Sequence, residues 1–277
     1  MNMKIVADSS SDLLTLAGVP YAAVPLKIIT KDTEYVDDAA LCVEAMVEDL
    51  RKQTAPTGTS CPNVHDWITA FGDAECVFAI TITSNLSGSY NACRQAAEMY
   101  MEEHPGRKVC VLDSLSAGPE LQLTIEMLRD GILEGKAFEQ LEAEAREYMK
   151  KTHLLFTLQS LANLARNGRV SPAVAKIATV LGINIVVKAS DVGTLEPLHK
   201  CRGEKSALKT LYKTMKELSF TGGKVRISHC LNPNAADMVV GMIRADFPDA
   251  DVVVDCAKGL VCYYAEKGGV LVGFEGI

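Results

Sequence analysis

The chain has 277 residues, with 28 Lys or Arg against 35 Asp or Glu, so its formal net charge is −7. This acidic balance argues against a basic nucleic-acid-binding surface, and no apolar run approaches the ~20 residues of an integral membrane segment. Hydrophobic residues make up 48% of the chain and aromatic residues only 6%, which predicts a folded protein whose apolar content is mainly aliphatic.

Nine cysteines are scattered along the chain without a C-x-x-C pair, and their odd number leaves one over in any full pairing. This usage is typical of a reducing compartment. The first residues also lack the apolar core of a signal peptide. We therefore expect a soluble, cytoplasmic protein.

Three short apolar runs in the first half end in hydroxyl-rich segments. They lie at 5–7 before Asp8-Ser9-Ser10-Ser11, at 77–82 before Thr83-Ser84, and at 109–112 before Asp113-Ser114. Continuous apolar runs that alternate with helical segments predict buried parallel strands with helices on both faces. Because the carboxyl ends of parallel strands meet at one edge, we expect the three segments to share the ligand-binding edge.

Helix starts are predicted where a hydroxyl residue can cap a first turn. Ser60 precedes Pro62, and Ser171 precedes Pro172, which suits an N-cap beside a first-turn proline. Ser87-Gly88 is expected to open a helix that ends near Met101, and two further helices are expected between residues 120 and 151.

The second half is predicted to form another α/β layer. Its expected strands are 154–158, 183–187, 194–199, 224–229, 251–255 and 270–274, with helices at 160–167, 204–218 and 234–247. We therefore predict an α/β fold of two domains. Residues 1–151 would form a Rossmann-like domain with a parallel sheet, and residues 152–277 a second α/β domain.

The common catalytic signatures are missing from the sequence. There is no G-x-G-x-x-G or P-loop cradle and no G-x-S-x-G elbow, and the five histidines are too scattered for a metal motif. Asp8-Ser9-Ser10 only weakly matches an aspartyl-phosphate nucleophile motif. We expect no catalytic residue, no metal and no cofactor.

Hydroxyl residues at predicted helix starts are the remaining chemical feature. Neutral hydroxyls and free backbone N–H groups at helix N-termini bind anions such as a carboxylate or a phosphate. The alternative is that each Ser or Thr only caps its own helix. Convergence of several donors at one sheet edge favours an anion site.

Five motifs together resemble the DegV family in order and spacing, over most of the chain. They are Asp8-Ser9-Ser10-Ser11-Asp12-Leu13, Pro56-Thr57-Gly58-Thr59-Ser60-Cys61-Pro62, Thr83-Ser84-Asn85-Leu86-Ser87-Gly88-Ser89-Tyr90, Asp113-Ser114, and Asn167-Gly168-Arg169-Val170-Ser171.

The resemblance implies a two-domain bacterial lipid-binding protein that holds one long-chain fatty acid in an apolar tunnel between its domains. It also implies presentation of this fatty acid to a separate kinase, which forms an acyl phosphate. The implied contacts with the head group are Ser9, Thr59, Ser60, Ser84, Ser87, Gly88 and Arg169. For Arg169 the resemblance leaves open ligand pairing and kinase docking; a plain surface salt bridge is the alternative.

Two positions depart from the family pattern. The segment 259–269 contains no histidine where members commonly have one near the ligand head, and Ala265 stands at that place. Asn184-Ile185 replaces a lysine-proline pair. These departures bear on the kinase-linked role more than on lipid binding.

Three other functions stay open at this point. The protein could be a fatty-acid carrier or store without a kinase, or a phosphotransferase or hydrolase that uses Asp8 or a hydroxyl nucleophile. It could also be an interaction module whose pocket is filled by side chains.

Overall fold

The computed structural model describes residues 2–170, 174 and 183–276. In chain order its strands are β1 (Met3–Asp8), β2 (Tyr21–Val24), β3 (Lys27–Ile29), β4 (Glu34–Val36), β5 (Gly58–Ser60), β6 (Cys76–Thr81), β7 (Lys108–Asp113), β8 (Thr152–Leu158), β9 (Ile183–Ala189), β10 (Leu195–Arg202), β11 (Val225–His229), β12 (Val252–Cys256) and β13 (Val270–Glu275). Its helices are α1 (Val43–Leu50), α2 (Val64–Phe71), α3 (Ser89–Glu103), α4 (Pro119–Leu133), α5 (Phe138–Tyr148), α6 (Ala162–Arg166), α7 (Glu204–Glu217), α8 (Pro233–Asp246) and α9 (Gly259–Ala265).

The first sheet is parallel, with strand order β2-β1-β6-β7. The side chains of β1 and β6 alternate between two apolar layers, one against α2 and α3 and the other against α4 and α5. This double burial explains the unbroken apolar runs in the sequence. The predicted parallel sheet with helices on both faces is confirmed.

The second sheet is mixed, with order β10-β9-β8-β13-β11-β12. Only β11 and β12 pair in parallel; the other neighbours are antiparallel. One face packs against α7 and α8, and the other turns toward α9 and the three-stranded sheet. The strands predicted in this half are confirmed. The division into domains at residues 151 and 152 stays a prediction, although β8, the first strand of this sheet, begins at Thr152.

A three-stranded antiparallel sheet, β4-β3-β5, was not expected from the sequence. Each of its strands has three residues, too few to show an alternation of polar and apolar side chains. Thr59, one of the predicted ligand contacts, lies in its strand β5.

One predicted helix start is wrong. Ser60 ends β5, and α2 begins only at Val64, where Asn63 caps it through a reciprocal pair of hydrogen bonds with Asp66. An Asn with an acidic residue three positions later satisfies two backbone donors, which a Ser before Pro62 does not. The predicted start at Ser171 and Pro172 lies outside the described residues. The helix expected after Ser87-Gly88 is confirmed as α3, and the two expected between 120 and 151 are α4 and α5.

Within the described part of the chain, no helix has the length and apolar character needed to cross a membrane.

A candidate ligand-binding cavity

A cavity of about 290 Å³ lies between the two larger sheets. Its walls come from both halves of the chain and are mostly aliphatic. The apolar lining residues are Leu26, Ile82, Leu86, Ala117, Leu154, Phe156, Leu158, Leu164, Leu195, Leu260, Val261, Ala265 and Leu271.

Strand β8 supplies one wall of the cavity. Leu154, Phe156 and Leu158 alternate along the strand and line the cavity, while Leu155 points to the opposite face and packs with α7 and α8. This alternation follows from the two-residue period of a strand. Leu271 of the neighbouring β13 pairs with Phe156 and extends the same wall.

The polar lining residues form one contiguous group. Thr59 and Ser60 come from β5, and Ser87 and Gly88 come from the turn before α3. The Thr59 Oγ1 atom lies 2.8 Å from the hydroxyl oxygen of Tyr264. Burial raises the pKa of the Tyr264 hydroxyl. A β-carbon at Gly88 would lie 3.2 Å from the Cys61 sulfur, a tight contact, so glycine lets these two segments of the wall pack closely.

Arg169 is the charged residue of the described lining. Its Nε donates to the carbonyl oxygen of Leu86 at 3.2 Å, and its Nη1 donates to the carbonyl oxygen of Asn167. Among the described residues it forms no ion pair with a carboxylate. The interpretation as a plain salt-bridge residue therefore finds no support, and a positive charge remains beside the hydroxyl groups.

The predicted hydroxyl-rich edge of the parallel sheet is present, and the buried carboxyl group of Asp8 lies at its centre and accepts hydrogen bonds from its neighbours. Asp8 accepts hydrogen bonds from the hydroxyls of Ser10 (2.5 Å) and Ser89 (2.6 Å) and from the backbone N–H of Ile82 (3.0 Å). Burial raises the pKa of Asp8, while these hydrogen bonds act to lower it. Asp8 is thus a structural tie between the ends of neighbouring strands.

Two of the predicted contacts, Ser9 and Ser84, are not among the described residues that line the cavity. Ser9 is fully buried, and its Oγ accepts a hydrogen bond from the backbone N–H of Leu26 at 3.0 Å. The backbone N–H of Ser84 donates to Asp113 at 3.1 Å. Ser9 therefore positions a lining residue, and ligand contact by either serine stays a prediction.

Different residues of the segment 83–89 make different contacts. Thr83 donates through its hydroxyl to the carbonyl oxygen of Gly193 at 2.9 Å, and Asn85 donates through its amide to that of Val192 at 2.6 Å. These bonds join the motif to the turn between β9 and β10. Ser87 and Gly88 face the cavity. The motif therefore both lines the cavity and connects the two halves of the chain.

Helix α9, which carries Tyr264, is anchored by carboxyl groups from the first half. The backbone N–H groups of Gly259 and Leu260 donate to Asp37 at 2.6 and 3.0 Å, and that of Lys258 donates to Asp12 at 2.7 Å. A β-carbon at Gly259 would lie 2.5 Å from Leu41 and 2.7 Å from Asp37, which explains the glycine. Sequence reasoning missed Tyr264, because its partner Thr59 lies 205 residues away.

Buried carboxyl groups should make stability depend on pH. Burial raises the pKa of Asp12 to about 7, so between its unfolded value near 4 and pH 7 the folded state binds more protons than the unfolded state. The free energy of unfolding should therefore fall as pH rises through this window, by about 2 kcal/mol from Asp12 between about pH 5 and about pH 7.5. Urea titrations at several pH values measure this.

The matched variant is Asp12→Asn. Asparagine keeps an acceptor for the Lys258 N–H and tolerates the left-handed backbone (φ 60°) at this position. We expect a smaller loss of stability between the two pH values in this variant. Identical pH profiles for the variant and the parent protein would contradict the prediction.

The geometry also bears on the enzyme alternative. Within the described residues no His or Glu side chain is hydrogen-bonded to the hydroxyl of Ser84 or Ser87; the Ser87 Oγ instead accepts from the N–H of Ser89 at 3.2 Å. A hydroxyl nucleophile needs such a base. The third alternative, an interaction module whose pocket is filled by side chains, is likewise not supported, because the cavity is open.

Known proteins resemble this chain over nearly its whole length. A family model described as an uncharacterised protein of the DegV family matches residues 2–275. The DegV domain-containing protein spr0652 of Streptococcus pneumoniae is 38% identical, with 99% of each chain covered.

Two solved structures are similar in fold and sequence. A DegV family protein from Eubacterium eligens, loaded with heptadecanoic acid, has a TM-score of 0.97 and 43% identity, covering 99% of this chain and 100% of that chain. The Streptococcus pneumoniae Fatty Acid Kinase (Fak) B3 protein, loaded with linoleic acid, has a TM-score of 0.98 and 37% identity, covering 100% of both chains.

Proposed function

The chain belongs to the DegV family, and from this premise we propose that it binds one long-chain fatty acid in the cavity between its two larger sheets. The observation that carries the proposal is the aliphatic cavity whose described wall also contains a group of hydroxyl residues and Arg169. Two similar proteins hold heptadecanoic and linoleic acid in their solved structures.

The apolar wall provides the affinity. Each buried methylene contributes about 0.8 kcal/mol, so a C16 chain contributes on the order of 10 kcal/mol before the cost of ordering the ligand. The aliphatic lining suits this chain, since flexible Leu and Ile side chains can adjust to an acyl tail. This gives the aliphatic excess of the composition a function.

The polar group orients the carboxylate. We assign carboxylate contact to Thr59, Ser60, Ser87, the backbone at Gly88, and Arg169. Neutral hydroxyls donate hydrogen bonds to the carboxylate and cost little to desolvate. The partly buried guanidinium of Arg169 adds a charge-assisted hydrogen bond. Tyr264 joins this set through its hydrogen bond to Thr59.

The proposed function includes presentation of the bound fatty acid to a separate kinase that forms an acyl phosphate. Similarity to the Fak B3 protein supports this role. The protein would then be a substrate carrier and not an enzyme. Ala265, in the wall where the resemblance implies a histidine, favours the second candidate, a carrier or store that no kinase uses.

Lipid analysis tests the binding proposal directly. Protein purified from a bacterial host, extracted with organic solvent and analysed by mass spectrometry, should release a long-chain fatty acid in a ratio near one per chain. Saturable binding of palmitate or oleate should follow after delipidation. A lipid-free protein that binds neither acid would refute the proposal.

A kinase assay separates the two candidates. Loaded protein, ATP and a fatty acid kinase catalytic subunit are mixed with hydroxylamine, which traps acyl phosphate as a hydroxamate. Hydroxamate formation supports presentation to a kinase. Its absence, in an assay where the Streptococcus pneumoniae Fak B3 protein as the comparison substrate does react, supports the carrier or store.

Thr59→Ala is expected to weaken palmitate binding about 10- to 100-fold, since a hydrogen bond to a charged group contributes about 1.5–3 kcal/mol. Thr59→Ser keeps the hydroxyl and should retain most of the affinity. Ser84→Ala is the comparison variant, because Ser84 is a predicted contact that is not among the described residues lining the cavity. A larger loss in Ser84→Ala than in Thr59→Ala would place the carboxylate elsewhere.

A further inference from the structure

The first turn of α4 closes one end of the cavity. A β-carbon at Gly273 would lie 2.5 Å from the backbone nitrogen of Glu120, so this turn lies directly on β13. Gly273 pairs with Leu154 of β8, and Ala117, just before α4, also lines the cavity. Leu154 is therefore the last residue of the β8 wall before the helix.

The polar lining group that contains Thr59 lies at the opposite end of β8. Ser160 follows this strand and donates to Glu266, at the end of α9, at 2.9 Å. Tyr264 of the same helix contacts Thr59. The strand spans about 13 Å between its first and last cavity-lining residues, at about 3.3 Å per residue. An acyl chain whose carboxylate meets the polar group therefore runs along β8 toward Leu154.

Beyond Leu154 the same face of β8 becomes polar. Thr152, two residues earlier, donates through its hydroxyl to the Glu120 carboxyl group at 2.8 Å, and Ser116 donates to the other oxygen of this group. Glu120 is 8% exposed, and burial raises its pKa to about 7. A buried carboxyl group that already has two hydroxyl partners offers the methyl end of a fatty acid no favourable contact.

A second cavity, of about 560 Å³, begins behind Leu154. Leu154 lines both cavities and so separates them. The lining of the second cavity includes five charged residues: Glu120, Arg146, Glu147, Lys150 and Asp191. Methylenes that passed Leu154 would displace water from charged groups, and they would gain less than methylenes against the aliphatic wall.

We propose that Leu154 sets the upper limit of acyl-chain length, as the residue against which the methyl end of the fatty acid stops. This limit rests on the proposed function and adds a length specificity to it. Chains that end before Leu154 gain affinity with each methylene. Longer chains must bend away from the aliphatic wall, and each methylene displaced from it weakens binding about fourfold.

A comparison of stearate with docosanoate, which is four methylenes longer, tests the limit. Competition with a fluorescent fatty acid on delipidated protein measures both affinities. The parent protein should bind docosanoate at least about tenfold more weakly than stearate. Leu154→Ala opens the end wall into the second cavity, and the ratio should then fall below about threefold. A folded Leu154→Ala protein that keeps the parent ratio would overturn the proposal.

The matched control is Leu155→Ala. Leu155 is as deeply buried as Leu154 but lies on the opposite face of β8, against α7 and α8. This variant should lose stability and keep the parent ratio of affinities. Thermal unfolding verifies that both variants fold. A change of ratio in Leu155→Ala as large as in Leu154→Ala would contradict the assignment.

A stearate analogue with a diazirine at its methyl end tests the direction of the chain. Trypsin places the end wall on peptides 109–129 and 152–166, and the hydroxyl residues of the polar group on peptide 53–94. After irradiation we expect the label within 116–120 and 152–156, and excess stearate should prevent it. A label on the polar group, within 58–60 or 86–88, would overturn the proposal.

These measurements separate the length limit from the proposed function. A parent protein that binds stearate and docosanoate with equal affinity would overturn the limit and leave fatty-acid binding standing. A protein that binds neither stearate nor palmitate would refute the proposed function, and the limit with it.

Discussion

Replacing Ala117 with tryptophan is expected to raise the Kd for palmitate at least about 100-fold. Ala117 lines the cavity and packs beside Leu26, Ile82, Leu260 and Tyr264. An indole at this position would fill space that the acyl chain needs. Displacing about four methylenes at about 0.8 kcal/mol each is enough for a loss of this size.

The control for this variant is Ala40→Trp, at an exposed alanine outside the cavity. It should bind palmitate as the parent protein does. Calorimetry on delipidated protein measures the affinities, and thermal unfolding verifies that Ala117→Trp folds. A folded Ala117→Trp protein with unchanged affinity would show that the acyl chain lies elsewhere.

Replacing Arg226 with methionine is expected to lower the free energy of unfolding by about 3–5 kcal/mol. Arg226 lies in β11, is 4% exposed, and holds Glu126 of α4 through Nε and Nη2 at 2.8 and 2.6 Å. The pair joins a helix of the first half to the sheet of the second. Removing the guanidinium leaves the Glu126 carboxylate nearly buried without its partner.

The double variant Arg226→Met with Glu126→Met should recover most of this loss, because two apolar side chains replace the whole pair. Arg51→Met is the surface control; its partner Glu48 is exposed, and its loss should stay below about 1 kcal/mol. Urea unfolding, followed by circular dichroism and by the fluorescence of the single tryptophan, the buried Trp67, reports the values. Equal losses in Arg226→Met and Arg51→Met would contradict the prediction.

Much of the fold could be predicted from local pattern. The apolar runs of β1, β6 and β7 are unbroken because both faces of that sheet are covered, and the residues that end these runs do meet at one edge. The strands of the second half were also predictable. The three-residue strands β3, β4 and β5 were not, since such short segments have no measurable period.

The roles of the hydroxyl residues could be predicted only in part. Thr59, Ser60, Ser87, Gly88 and Arg169 do gather in the cavity wall. The motifs that contain Ser9 and Ser84 look equally functional in the sequence. In the structure the Ser9 hydroxyl accepts from the Leu26 backbone N–H, and the Ser84 backbone N–H donates to Asp113. Polar groups near a helix start serve as easily inside the fold as beside a ligand.

By itself the sequence determined the α/β class, the parallel sheet, the edge where hydroxyl residues collect and the resemblance to the DegV family. These follow from period, composition and short motifs, which act between near neighbours in the chain. The tertiary structure decided that Tyr264 meets Thr59 and that Asp12 and Asp37 hold α9. These contacts join residues more than 200 positions apart, and only packing of the two halves brings them together.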